Sequence, residues 1–388
     1  MRLFPRAVAI AAVVLLLAAV PAVGAVRAVT APHWRIVSVL RHCGDDSLSS
    51  ILATGPRDAW ALGQPPWSTA PGCGADVEHW DGTAWRHVPV PGTTRFGLFP
   101  TANPITATSA SDAWIFPARG EPVGLSGHEY NYALHWNGKT WRASGFPGKL
   151  SVQSAADLGP NDVWAFGVTY TGAVTTVPST ARYNGRAWQR VILPVAPLAV
   201  SAAGRDDLWV IGPTAATANK PANQQHIVAM RWNGRSWTGL AVPKIALPAG
   251  QSRFNASIVA TGGPRDLWWY YQATSDENST SRSGLMHWNG TAWRAMRLGA
   301  AIVLVDAMSK DGHGGIWLKA DVGIASDQYF YHYNHGRWTR SLVPSPRNYL
   351  NWVFGLAWIP GTTSVWADGE ADGDVGPHTV GVIVKYGS

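Results

Sequence analysis

Cysteine is nearly missing from this chain: Cys43 and Cys73 are the only two among 388 residues. Thiol chemistry can therefore add one disulfide at most, and two sulfurs cannot complete a metal site on their own. No further ligand is evident beside them in the sequence. Charge is also scarce, at 14% of residues. The formal net charge of +7 is spread along the chain without a Lys/Arg run, so no nucleic-acid footprint is expected.

Long apolar runs are confined to one stretch, Ala7 to Val26, which comes after MRLFPR with its Arg2 and Arg6. A charged start, an apolar stretch and the small residues Val23-Gly24-Ala25 have the form of a secretory signal, which assigns residues 1–25 to a signal peptide. The same stretch is long enough to span a bilayer, so an uncleaved anchor is the alternative, and a membrane is a partner only in that case. Either way the rest of the chain is expected outside the cytoplasm. In an oxidising compartment Cys43 and Cys73 are expected to form a disulfide.

Tryptophan, by contrast, is abundant, with 22 copies. Their spacing explains the excess. A hairpin signature recurs as HWDGTAW (79–85), HWNGKTW (135–141), RYNGRAW (182–188), RWNGRSW (231–237), HWNGTAW (287–293) and HYNHGRW (332–338). Upstream of each lies a run holding Asp-x-Trp, as in GPRDAWALG (55–63) and GPNDVWAFG (159–167). Looser copies, GHGGIWLK (312–319) and GTTSVWADG (361–369), bring the strand-B tryptophans to seven: Trp60, Trp114, Trp164, Trp209, Trp268, Trp317 and Trp366.

Seven such runs face six complete hairpins, and the missing hairpin is divided between the chain ends. The C-terminal VGVIVKYGS matches the approach to a hairpin and stops at the turn, while PHWRIVSV near the N-terminus matches the strand that leaves one. Trp34 then takes the seventh hairpin position. A unit shared between the termini closes a ring, whereas an open solenoid would carry capping repeats. Units of about fifty residues with four short strands, A to D, are the blades of a β-propeller. The expected fold is all-β: a linker over 26–32, then a seven-bladed propeller over 33–388, with strand D of blade 7 supplied by the N-terminus. Eighteen of the 22 tryptophans hold one of three repeat positions, which assigns them to packing between blades. The residue before the strand-C aromatic is basic in every unit (His79, His135, Arg182, Arg231, His287, His332, Lys385), and pairing with local carboxylates or carbonyls is expected there.

These motifs resemble kelch repeats. More narrowly, WNG-x-x-W and D-x-W-A-x-G resemble the repeats of secreted actinobacterial β-propeller proteins, most of them uncharacterised. The resemblance covers residues 33–388, although a regular Gly-Gly doublet after strand B is lacking: Gly63, Gly167 and Gly212 stand alone. Fold resemblance does not carry an activity with it.

The A–B and C–D turns are short and stereotyped, so binding residues are expected on the opposite face, in the variable B–C and D–A connections. Candidate binding aromatics are Trp67, Tyr130, Tyr170, Tyr271, Trp352 and Trp358, with filling of the central channel as the competing role for the last two. Carboxylates at Asp368, Glu370, Asp372 and Asp374 have the alternate spacing of a calcium loop, making calcium the one cofactor candidate, although Thr379 stands where an EF-hand has Glu. The expected function is a monomeric extracellular module that binds a glycan or a protein. The alternative is an enzyme acting on polysaccharide through loop carboxylates. No serine nucleophile elbow, metalloprotease His pair or Asp-box is present, and catalytic residues are not identified.

Overall fold

The computed structural model describes residues 31–42, 46–64, 76–90, 105–116, 132–148, 150–170, 176–247, 253–260, 265–275, 281–298, 302–322, 328–346, 349–373 and 379–387. Strand β1 (His33–Leu40) is followed by blade 1: β2 (Ser47–Gly55), β3 (Asp58–Gln64), β4 (Val77–Trp80) and β5 (Trp85–His87). Blade 2 holds β6 (Ile105–Ser109), β7 (Asp112–Ile115), β8 (Tyr132–Trp136) and β9 (Trp141–Gly145). Blade 3 holds β10 (Ser151–Asp157), β11 (Val163–Tyr170), β12 (Thr176–Tyr183) and β13 (Trp188–Val191). Blade 4 holds β14 (Ala199–Gly204), β15 (Asp207–Pro213), β16 (Ile227–Trp232) and β17 (Trp237–Ala241). Blade 5 holds β18 (Arg253–Ala260), β19 (Leu267–Thr274), β20 (Ser281–Trp288) and β21 (Trp293–Met296). Blade 6 holds β22 (Ile302–Lys310), β23 (Ile316–Val322), β24 (Gln328–Asn334) and β25 (Arg337–Leu342). Blade 7 holds β26 (Tyr349–Trp358), β27 (Val365–Gly373), β28 (Thr379–Gly387) and, on its outer edge, β1.

Each blade is a four-stranded antiparallel sheet. The innermost strands touch in sequence around a closed ring, β2 to β6, β10, β14, β18, β22, β26 and back to β2. Closure takes the expected division: β1 pairs β28 with Trp34 opposite Tyr386 and Arg35 opposite Lys385. A long-range ladder thus replaces two edges that would otherwise be free to pair with other chains.

The repeated hairpins owe their shape to a glycine. Gly82, Gly138, Gly185, Gly234 and Gly290 adopt φ between 86° and 92°, a region costly for a side chain. The Asp or Asn before each glycine closes the turn with its side chain: Asn289 Oδ1 accepts the N–H groups of Thr291 at 3.1 Å and Ala292 at 3.0 Å. This register sets the aromatic pairs directly opposite one another, as Trp80 with Trp85, Trp232 with Trp237 and Trp288 with Trp293. In blade 6 the turn is tighter, with His335 and Gly336 both left-handed.

Each strand-B tryptophan then wedges against the hairpin aromatics of the next blade. Trp366 of blade 7 meets Trp80 and Trp85 of blade 1, each at 5.2 Å between ring centroids. Trp114 meets Trp188 of blade 3 at 5.4 Å, and Trp164 meets Trp237 of blade 4 at 5.3 Å. Trp317 meets Trp34 across the closure at 5.4 Å. A buried indole covers roughly 150–250 Å², so truncating one of these wedges is expected to cost about 3–5 kcal/mol.

The basic residue of strand C completes the unit. His79, His135, Arg182, Arg231, His287 and His332 pair with Asp58, Asp112, Asp162, Asp207, Asp266 and Asp311 at 2.6–2.9 Å. The imidazoles of His135, His287 and His332 lie flat on Trp114, Trp268 and Trp317 at 4.0–4.1 Å. The basic column is therefore structural. Blade 7 has Ser364 in the Asp position, and Lys385 there rests over Trp366 at 4.9 Å.

Candidate functional site

Strands reach further toward the variable face than apolar patterning indicates. β19 continues through Gln272 to Thr274, and β27 through Glu370 to Gly373. Polar residues extend these ladders because the pairing is made by the backbone and needs no apolar side chain. The stretch Asp368–Gly373, expected as part of an acidic loop, is accordingly strand. Its carboxylates alternate on one face, about 6.6–6.8 Å per two residues, and run from the interior to the surface. Asp368 is fully buried, Glu370 is half-buried, and Asp372 is exposed and accepts the Thr379 hydroxyl at 2.7 Å. Asp374 lies outside the described residues.

Asp368 points between the inner strands of blades 7 and 1. Burial pushes its carboxyl up to about 8, against the opposing pull of the Ser50 and Gly355 N–H groups, which approach without reaching hydrogen-bond geometry. Both neighbours sit at bulges, where a strand frees a backbone donor. The same device recurs at one further inner-strand bulge, at Val305, and on the other side of the Gly355 bulge, at Val353. Val305 N–H donates to the Tyr270 hydroxyl at 3.3 Å, and Val353 N–H to Gln328 Oε1 at 3.3 Å. In blade 6, Lys319 is 2% exposed and its Nζ is gripped by Asp306 Oδ2 and by Asp321 Oδ1, the latter at 2.8 Å. Burial raises the Asp306 pKa despite the opposing attraction of Lys319.

The candidate aromatics do not share one site. Trp352 is 42% exposed on the innermost strand of blade 7, directly across the ladder from Glu370. The Glu370 carboxyl is raised by burial, partly offset by a hydrogen bond from Ser47. Trp358 lies at the other end of β26, beside the A–B turns. Its Nε1 donates to Thr362 O at 2.8 Å, and Lys310 Nζ sits 4.9 Å from its ring. It packs against Gly312 and Lys310 at the A–B turn of blade 6, away from the variable face. Tyr271 is half-buried, packed against Trp269 at 5.3 Å. Tyr170 ends β11, while Trp67, Tyr130, Cys43 and Cys73 lie outside the described residues.

The channel also contains a cavity of 240 Å³ near the A–B turns, with Asp157 and Lys310 in its lining. Burial raises Asp157 to about 8, helped by Asp112 and Asp162, while burial lowers Lys310. One cluster was not visible in the sequence: His42, Asp76, Glu78 and His87, whose donor atoms all lie within 4.8 Å of one another. The hydrogen bonds to Asp76 and Glu78 outweigh burial and hold His87 up at about 9. Only cross-strand pairing could have revealed this group, because its members come from three separate segments.

No protein-family model and no curated protein sequence matches the chain. Solved structures do resemble it. YCF48 bound to a D1 peptide is 12% identical with a TM-score of 0.52, over 92% of this chain and 97% of the other. The β-propeller domain of the trilobed protease from Pyrococcus furiosus, described as having an open velcro topology, is 10% identical with a TM-score of 0.53, over 88% and 94%. The GH74 xyloglucanase from Xanthomonas campestris is 15% identical with a TM-score of 0.50, over 87% of this chain and 53% of the enzyme. At these identities the likeness is one of fold: this chain is a seven-bladed β-propeller.

Proposed function

We propose that this chain is a secreted, kelch-like binding module that recognises a glycan through its variable face, with Trp352 and Glu370 at the centre of the contact. The exposure of Trp352 carries the reading. Packing accounts for the tryptophans of the repeat positions, but it leaves this indole 42% exposed on the innermost strand, beside a carboxylate. A flat aromatic face suits the C–H face of a sugar ring, and the adjacent carboxylate accepts from its hydroxyls. Hydrolysis of a glycosidic bond would instead call for two carboxyl groups free to share the reacting bond. Asp306 and Asp321 are tied together by Lys319, and Asp76 and Glu78 are paired with His87, which favours binding over catalysis.

A glycan array probed with the purified protein tests the reading, followed by calorimetry on the best hit. Trp352→Ala is expected to weaken binding at least tenfold and Trp358→Ala to leave it within twofold. An array without hits, or binding that survives Trp352→Ala, would overturn it.

A further inference from the structure

The group His42, Asp76, Glu78 and His87 is assembled by the closure of the ring. Glu78 on β4 and His87 on β5 are direct cross-strand partners, so their side chains share a face. Asp76 stands two residues before Glu78 and therefore projects to the same side. His42 arrives from elsewhere, from the connection that leaves the closing strand β1. His42 Nε2 lies 3.2 Å from Glu78 Oε1, and His87 Nδ1 lies 3.1 Å from Asp76 Oδ1 and 3.4 Å from Glu78 Oε1.

The two carboxylates are buried, with side-chain exposures of 5% and 1%, while the imidazoles at the rim are 39% and 41% exposed. Asp76 Oδ2 and Glu78 Oε1 are both enclosed and make no hydrogen bond of good geometry among the described residues. Two adjacent buried anions demand compensation. Protonating both histidines would set two cations side by side, with ring centroids 5.0 Å apart, and would still leave Asp76 Oδ2 without a donor among the described residues. One divalent ion among the four groups neutralises both anions and uses the imidazoles as neutral ligands. The spacing suits it. Bonds of 2.0–2.1 Å to a tetrahedral zinc imply ligand separations of roughly 3.3–3.4 Å, close to the three distances observed here.

We propose that His42, Asp76, Glu78 and His87 bind one divalent transition-metal ion, zinc on the strength of two nitrogen and two oxygen donors, and that this ion ties the closing strand to blade 1. Three ligands belong to blade 1 and the fourth to the exit of blade 7's outer strand, so the ion bridges the seam where the chain ends meet. Carboxylates at the base and half-exposed imidazoles above give it an entry path from solvent. Hard, high-coordination ions such as calcium favour all-oxygen sites and are disfavoured by this donor set.

The test uses tag-free protein stripped with chelator, then titrated calorimetrically with zinc chloride and, separately, calcium chloride. One equivalent of zinc is expected to bind, with a raised melting temperature, and cobalt(II) substitution is expected to give the visible bands of a tetrahedral site. His42→Ala/His87→Ala removes the partners of two buried carboxylates, so the apo-protein's melting temperature is expected to fall, and zinc affinity is read at a temperature where that apo-protein is still folded. The double variant should lose at least a hundredfold in zinc affinity, together with the zinc-induced thermal shift. Asp76→Asn provides a second, nearly isosteric variant with the same expected loss. Stoichiometric zinc binding that survives both variants, binding of calcium alone, or no metal binding at all would overturn the proposal.

Discussion

Blades 1 to 5 and blades 6 to 7 fill the same buried position in opposite ways. Two residues after the strand-B tryptophan stand Leu62, Phe116, Phe166, Ile211 and Tyr270 in the first five, but Lys319 and Asp368 in the last two. All seven side chains are at most 2% exposed. An apolar residue there needs only volume, whereas a charged one needs local partners, and the surrounding structure differs to match. Lys319 has Asp306, the extra residue of a bulge, together with Asp321. Asp368 has the bulged backbone of two neighbouring inner strands and a raised pKa. Tyr270, the most polar of the five, marks the border, with its hydroxyl meeting the bulge at Val305. The polar sector adjoins the ring closure and holds the exposed Trp352. Regular packing builds the ring, and departures from it gather where the chain closes.

The largest test of this contrast is Lys319→Met. If the lysine were only a volume filler, an apolar residue of similar length would be tolerated. Because it holds two carboxylates that are less than a third exposed, removing it is expected to destabilise the protein by about 3–5 kcal/mol in urea unfolding. Adding Asp306→Asn and Asp321→Asn to the same chain should recover most of that loss. A neutral single variant would dissolve the distinction between the two sets of blades.

Asp368 gives a pH-dependent test. Its folded-state pKa of about 8 lies above the ordinary 3.8, so the folded protein holds the proton more tightly than the unfolded chain does. The resulting stabilisation is fully present below 3.8 and is lost progressively as pH rises toward 8. Asp157 contributes with the same sign over the same window. Asp368→Asn removes one of these two contributions. Its melting temperature should equal the wild type's within a degree or two at pH 4 and exceed it at pH 8, by an amount corresponding to a few kcal/mol. Parallel pH profiles for the two proteins would show that Asp368 ionises freely.

The fold was legible in the sequence because its repeat is covalent and local. Asn-Gly fixes a turn, the turn fixes the tryptophan pair, and seven strand-B tryptophans against six hairpins expose the shared blade before any contact is known. Asp311 is the exception: an insertion, KDGHGGIW, moves it away from the Asp-x-Trp position, although it takes the same histidine partner. The sites were far less legible. Polar extension of β27 turned an expected acidic loop into a strand, and Trp352 and Trp358, six residues apart, fall at opposite ends of one strand. The four-residue cluster around Glu78 depends on pairing between segments far apart in sequence, and no single stretch contains it.

The smallest expected effect is also the one that separates structure from function most cleanly. Trp352 and Trp358 are the same residue type on the same strand, and only their surroundings differ. Trp358 donates a hydrogen bond to Thr362, lies under Lys310, and is held through its backbone by the Ser309 hydroxyl, to which its N–H donates at 2.8 Å. Its truncation should cost about 2–3 kcal/mol, somewhat below the value for a fully buried tryptophan. Trp352 offers much of its surface to solvent, so its truncation should change stability by no more than about 0.5 kcal/mol while weakening the proposed glycan binding at least tenfold. Paired unfolding curves for the two alanine variants check this. If Trp352→Ala proved as destabilising as Trp358→Ala, the exposed indole would be part of the channel packing, and the polar sector would lose its claim to be the recognition face.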